Sequence, residues 1–153
     1  YRFDAIRYLI KHEPNFNLEL CDCLNKAIQL KQIKTKNIKY FDFIDKHIQL
    51  NVENIVYIQS DKHYLLYYIL VKNDLVCFKK RSKMSEAIED LSDYCFFSLI
   101  RTGLLINLKY VKSINKRGII CIEAGENISK LFIISDSNID KFLSHYMKYL
   151  GDL

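Results

Sequence analysis

A chain of 153 residues that is 50% apolar and 27% charged has the balance of a folded globular protein, long enough for one good core or for one domain with a small appendage. Its formal charge of +5 permits a polyanionic partner without requiring one. No run of about eighteen apolar residues and no basic-then-apolar leader is present, so neither a membrane span nor secretion is expected, and the expected compartment is the cytoplasm.

Ile, Lys, Asn and Tyr are abundant while Gly and Pro are scarce, which reads as codon bias that raises Lys for reasons unrelated to binding. The five cysteines (Cys21, Cys23, Cys77, Cys95 and Cys121) are odd in number and share no repeated spacing, which argues against a disulfide framework. Cys21 and Cys23 stand two apart on a predicted helix and point in different directions. His12, His47, His63 and His145 are scattered, so no zinc site is expected. The thiols are expected reduced and partly buried.

In chain order, Ile6-Arg7-Tyr8-Leu9-Ile10 is an apolar run suited to a buried strand, and Pro14 breaks it. Phe16, Leu20, Leu24, Ala27 and Ile28 then recur at helical spacing up to about Gln32. The polar, basic stretch Lys31 to Lys39 reads as a linker or the lead-in to the next domain, dividing the chain into residues 1–33 and residues 34–153.

Beyond the linker the pattern turns to short strands, predicted at 38–44, 46–50, 54–59, 63–70, 75–79, 96–100, 104–106, 110–115, 118–124 and 131–135. Turn signals separate them at Asn51, Asp61, Asn73-Asp74, Asn115 to Gly118 and Gly125 to Asn127. Many short strands between polar turns imply a mainly β core of antiparallel strands. Two helices interrupt it. One carries Met84, Ala87, Ile88 and Leu91 on one face with Ser82 placed to cap it. The other carries Ile139, Phe142, Leu143 and Tyr146, with Ser137 as its cap and Gly151 just past its end. No internal repeat is visible.

Three segments resemble the LytTR family of DNA-binding domains, over about residues 35 to 150. Ile55-Val56-Tyr57-Ile58-Gln59-Ser60-Asp61-Lys62-His63-Tyr64 resembles the family's Ile-x-Tyr-Ile-Glu-x-x-x-x-Tyr strand and loop. Phe97 to Leu108, followed by Tyr110-Val111-x-x-Ile114, resembles its Phe-x-Arg-x-His-x-Ser-x-x-Val-Asn stretch. Ile134-Ser135-Asp136-Ser137 stands where the family has Val-Ser-Arg before its last helix. Residues 1–33 resemble the tail of a receiver domain, whose last strand ends in an aromatic and a Lys. Here these are Tyr8, the switch aromatic by resemblance, and Lys11, the phosphoryl contact, with His12 in the usual Pro position. The acceptor Asp and its acidic pair would lie upstream of Tyr1, so a sensor kinase could act only through a receiver portion missing from this chain.

The resemblance implies a small LytTR-like β-sandwich that reads DNA with loops and binds tandem direct repeats in promoters. His63 falls at a loop position that faces a base in the family, and Lys62 beside it suits a phosphate. Arg101 falls where the family commonly has His, and Thr102 where it has Arg, Lys or Asn. An Arg there can grip guanine through two hydrogen bonds, and Gly103 would allow close backbone approach. Ser135, Asp136 and Ser137 form the third loop. Asp136 replaces a groove-facing Arg, and a carboxylate faces phosphates badly. It opposes binding, accepts from a cytosine amino group, or caps the last helix.

Other residues read as structural. Asn107 is expected to bond a turn backbone. The Lys79-Lys80-Arg81-Ser82-Lys83 run reads as a solvated helix start first and a phosphate contact second. Tyr64 and Tyr68 share one strand face and Tyr67 the other, which suits core packing better than base stacking. No Gly-rich phosphate loop, His-Glu-x-x-His helix or Gly-x-Ser-x-Gly elbow is present, so no enzyme and no cofactor are expected. The leading expectation is a bacterial response-regulator output domain that binds double-stranded DNA and controls transcription, as a homodimer on tandem repeats. The alternative is a protein-interaction module of the same fold whose DNA surface has drifted.

Overall fold

The computed structural model describes residues 16–125 and 128–151, and within 27–36 the backbone alone. The strand expected at residues 6–10, with Tyr8, Lys11, His12 and Pro14, lies outside the described residues. The chain forms two compact units, one ending at Ile38 and the other beginning at Lys39. In the first, helix α1 spans Phe16–Lys36. It continues four residues past the expected end through the stretch read as a linker, because Lys, Gln and Thr are polar without breaking a helix. Phe16, Glu19, Leu20 and Cys23 share its part-buried face, while Leu24, expected on that face, is exposed.

The second unit is a layered β structure. Its central sheet has the order β5-β4-β3-β7-β6, formed by β3 (Ile55–Asp61), β4 (Tyr64–Val71), β5 (Asp74–Lys80), β6 (Phe97–Arg101) and β7 (Leu104–Asn107), each pair antiparallel. Both faces are covered. Strands β1 (Ile38–Asp42) and β2 (His47–Asn51) and helix α2 (Met84–Asp90) bury Phe43, Ile58, Leu65, Tyr67 and Leu105 against one face. The antiparallel sheet β10-β9-β8 and helix α3 (Ile139–Gly151) bury Tyr57, Ile106, Ile120, Ile122 and Phe142 against the other. The outer sheet comprises β8 (Val111–Ile114), β9 (Ile119–Ala124) and β10 (Ile128–Ile133). This two-sided burial explains why β3 begins with four consecutive buried residues instead of alternating. A bulge between Ile55 and Tyr57 lets Val56 and Tyr57 both serve the second core.

All ten strands expected beyond the linker form, and the last is displaced. It occupies 128–133, not 131–135, so Ser135 lies beyond it. Its inward positions are Ile128, Lys130 and Phe132, and Lys130 disguised the alternation. The ammonium donates to the Tyr57 hydroxyl at 2.6 Å and lies 5.1 and 4.9 Å from the ring centres of Tyr57 and Tyr68. Those rings stack at 4.2 Å, so a cation–π contact makes a charged residue acceptable there. The buried face of α3 runs Ile139, Phe142, Tyr146, Tyr149, leaving Leu143 exposed.

Two caps differ from expectation. Ser82 gives its hydroxyl to Glu86 Oε2 at 2.7 Å, and the same carboxylate accepts the Lys83 N–H at 3.3 Å, so Glu86 caps α2. Ser137 lies inside a 3₁₀ turn, Asp136–Asn138, and Gly151 is the last residue of α3. All five cysteines are free, but Cys21, Cys77 and Cys95 are exposed, not partly buried.

One local turn occurs twice. After β2, the Asn51 carboxamide accepts the Glu53 N–H at 2.9 Å over a 3₁₀ turn, and after β7 that of Asn107 accepts the Lys109 N–H at 3.0 Å. Val52 and Leu108 are the matching buried apolar residues. Only Asn107 is fully buried, and its amide also donates to the carbonyls of Ile55 and Glu53 at 2.8 and 3.1 Å. Its structural role is as expected.

Candidate nucleic-acid interface

The residues singled out in the sequence sit on three turns that the antiparallel register carries to one edge. Asp61 pairs with Tyr64, which leaves Lys62 and His63 as a two-residue turn between β3 and β4, both exposed. Lys62 is in the left-handed region at φ 54°, but Lys72 in the β4–β5 turn has φ 58°, so this strain belongs to the hairpin type and not to the site. Gln59 pairs with Leu104, so the β6–β7 turn holding Arg101, Thr102 and Gly103 arrives beside it. The Ser60 N–H donates to the Gly103 carbonyl at 2.8 Å. Gly103 has φ +78°, and a Cβ there would meet Ser60 Cβ and Oγ at 3.2 Å. Its close approach is thus to Ser60 of the neighbouring turn.

The third turn is tied to the second. The Ser135 N–H and hydroxyl both donate to the Ile100 carbonyl, at 3.2 and 3.4 Å, and the Asn138 amide donates to it at 3.5 Å. Asp136 and Ser137 are exposed. The Asp136 backbone carbonyl accepts the Ile139 N–H. Among the described residues, the side chains of Lys62, His63, Arg101 and Asp136 make no ion pair or hydrogen bond, so three donors and one acceptor face solvent.

The edge extends further than sequence reasoning reached. A polar cleft of about 540 Å³ joins the first turn to the start of α2, lined by Ser60, Lys62, His63, Arg81, Lys83 and Glu86. Register explains this: Lys80 pairs with Leu65, one residue beyond Tyr64, so the basic run leaves β5 beside the first turn. Glu86 is the cleft's one carboxylate. The Ser82 hydroxyl first, then the Lys83 N–H, hold it below the usual carboxylate range, so it stays ionised and engaged. Lys80 turns away to Asp90 at 3.5 Å, leaving Arg81 and Lys83 for the cleft. Spacing alone could not find this; the signal was the Lys79 to Lys83 run, whose pairing partner only the register supplies.

Chemically, the edge offers cations, hydroxyls and backbone donors on protruding turns. Among the described residues no three His, Cys, Asp or Glu side chains gather to hold a metal, and no helix is long and apolar enough to cross a membrane. The arrangement suits an extended polyanion read by loops.

The fold is that of LytTR DNA-binding domains. The chain superposes with a TM-score of 0.54 on a structure described as the LytTr DNA-binding domain of a methyl-accepting/DNA response regulator from Bacillus cereus, at 12% identity, covering 71% of this chain and 95% of that one. No family model matches the chain, and no curated protein matches it.

Proposed function

We propose that this chain binds double-stranded DNA through the turn-bearing edge, as the output domain of a bacterial response regulator controlling transcription in the cytoplasm. The observation that carries the reading is the convergence of the three turns, locked by the Ser60–Gly103 and Ser135–Ile100 bonds, beside a cleft lined by Lys62, Arg81 and Lys83. His63 and Arg101 are assigned to base edges, where donors distinguish guanine and adenine in the major groove. Lys62, Arg81 and Lys83 are assigned to phosphates, which set position. Thr102, Gly103, Ser135 and Ser137 frame the two further turns, and paired direct repeats would engage two copies. Residues 1–33 enter as the end of a receiver, through which a sensor kinase would act.

Selection from a randomised duplex library, followed by titration of the enriched and random duplexes across salt, tests this. Expected is tighter binding to the enriched duplex, with affinity falling steeply as salt rises, since Lys and Arg contacts release counterions. Asp136, exposed in the third turn, favours one second reading, a protein-interaction module. Absence of duplex binding at every salt would leave that reading standing.

A further inference from the structure

Asp136 leaves the third turn without the cation that a groove-facing loop needs, and a fourth turn brings two to its side. Residues Asn115 to Gly118 connect β8 to β9. The Asn115 carboxamide accepts the N–H groups of both Arg117 and Ile119 at 2.9 Å, which fixes the turn from within. The Gly118 carbonyl accepts the Ile134 N–H at 2.9 Å. A Cβ on Gly118 would stand 3.2 Å from Ile139 Cδ1 and 3.8 Å from Ile134 Cβ. The turn is therefore pinned to the two residues that bracket Ser135 to Asn138. The other end of β9 confirms the polarity. Gly125 abuts the Asn73 carbonyl in the β4–β5 turn, where a Cβ would come within 3.2 Å. Strand β4 runs from Tyr64 at the reading edge to Val71 at the opposite end, so Gly125 marks the far end and Gly118 the reading edge.

Charge accounting singles out the same residues. In this outer sheet Lys112 is held by Glu123 at 2.6 Å, and Lys130 is held by the Tyr57 hydroxyl. Lys116 and Arg117 are exposed and in no ion pair among the described residues.

We propose that Lys116 and Arg117 form a fourth DNA-contacting turn that grips the phosphate backbone beside the third turn and supplies the positive charge Asp136 withholds. A guanidinium forks onto two phosphate oxygens, and a lysine ammonium adds a mobile point charge. A turn anchored by its own backbone presents both without ordering a loop on binding. The inference rests on the DNA reading and deepens it.

The test compares the full chain with Lys116→Ala/Arg117→Ala, using an enriched duplex and a random duplex across salt. Both substitutions keep the Arg117 N–H that Asn115 holds, and thermal unfolding should be unchanged. Each lost phosphate contact lowers the salt slope by about one. Between about 50 and 200 mM salt the double variant should therefore lose about tenfold less affinity than the parent, on both duplexes alike. Adding Asp136→Arg to that variant should restore the slope by about one unit, whereas Asn73→Arg at the far end should not. A parent that binds duplex with a slope indifferent to the double substitution overturns this proposal while leaving the DNA reading intact. Equal rescue from Asn73→Arg also overturns it, since any added charge would then do. A parent that binds no duplex overturns both.

Discussion

Gly103 is where the fold and the reading edge depend on one atom that is absent. Its φ of +78° lies in the left-handed region, which costs a residue bearing a Cβ about 1–2 kcal/mol. An added Cβ would also press on Ser60 Cβ and Oγ at 3.2 Å, which requires the turn or β3 to give by a few tenths of an ångström. Against this, alanine stiffens the unfolded chain, an offset of about 0.4–1 kcal/mol. Gly103→Ala should therefore destabilise by about 1–2 kcal/mol, on the order of five- to thirtyfold in the folding equilibrium. Urea unfolding reads this as a lower midpoint at unchanged slope. Because Arg101 and Thr102 share the turn, affinity for an enriched duplex should fall as well. Ser60→Gly isolates the two causes: in the double variant the contact with Ser60 is gone and the backbone cost remains, so the two changes should couple. An alanine variant with the parent's midpoint would refute the strain argument. Additive changes in the double variant would refute the contact with Ser60.

Three further outcomes are expected. Asn107→Leu should cost about 2–4 kcal/mol in urea unfolding, since it orphans the buried Ile55 carbonyl and the Lys109 N–H, whereas Asn51→Ala, at the half-exposed copy of the turn, should cost about 1 kcal/mol; equal costs would show that burial of Asn107 is not what matters. Burial pushes the Tyr57 hydroxyl from 10.0 up to about 12, so its neutral form contributes stability that is full below pH 10 and lost as pH rises through 12; Tyr57→Phe should make the alkaline loss of stability shallower, and an unaltered alkaline limb would count against it. Arg101→Ala should weaken binding to an enriched duplex by about 1–3 kcal/mol and to a random duplex by less, if the guanidinium reads a base edge; equal losses would make it a phosphate contact.

Much of the architecture was legible in the sequence because its determinants are local. Short strand-like runs between polar turns placed nine of the ten strands beyond the linker, and Asn107 announced its turn because a carboxamide before a buried apolar residue mimics a backbone bond. The three turns proposed to contact DNA were visible through their likeness to LytTR loops. What the sequence could not determine depends on register. Lys130 in an inward position hid the start of β10, since only the stacked Tyr57 and Tyr68 rings make that site acceptable to a cation. Leu24 and Leu143 are apolar at helical spacing yet exposed, because periodicity gives a stripe and only packing selects which side of it is buried. The tertiary structure alone decided that Arg81 and Lys83 share a cleft with Lys62, and that the turn carrying Lys116 and Arg117 is pinned through Gly118 to Ile134 and Ile139, on either side of Asp136. Those residues lie tens of positions apart, and antiparallel pairing, not spacing along the chain, sets which turns meet at one edge of a sheet.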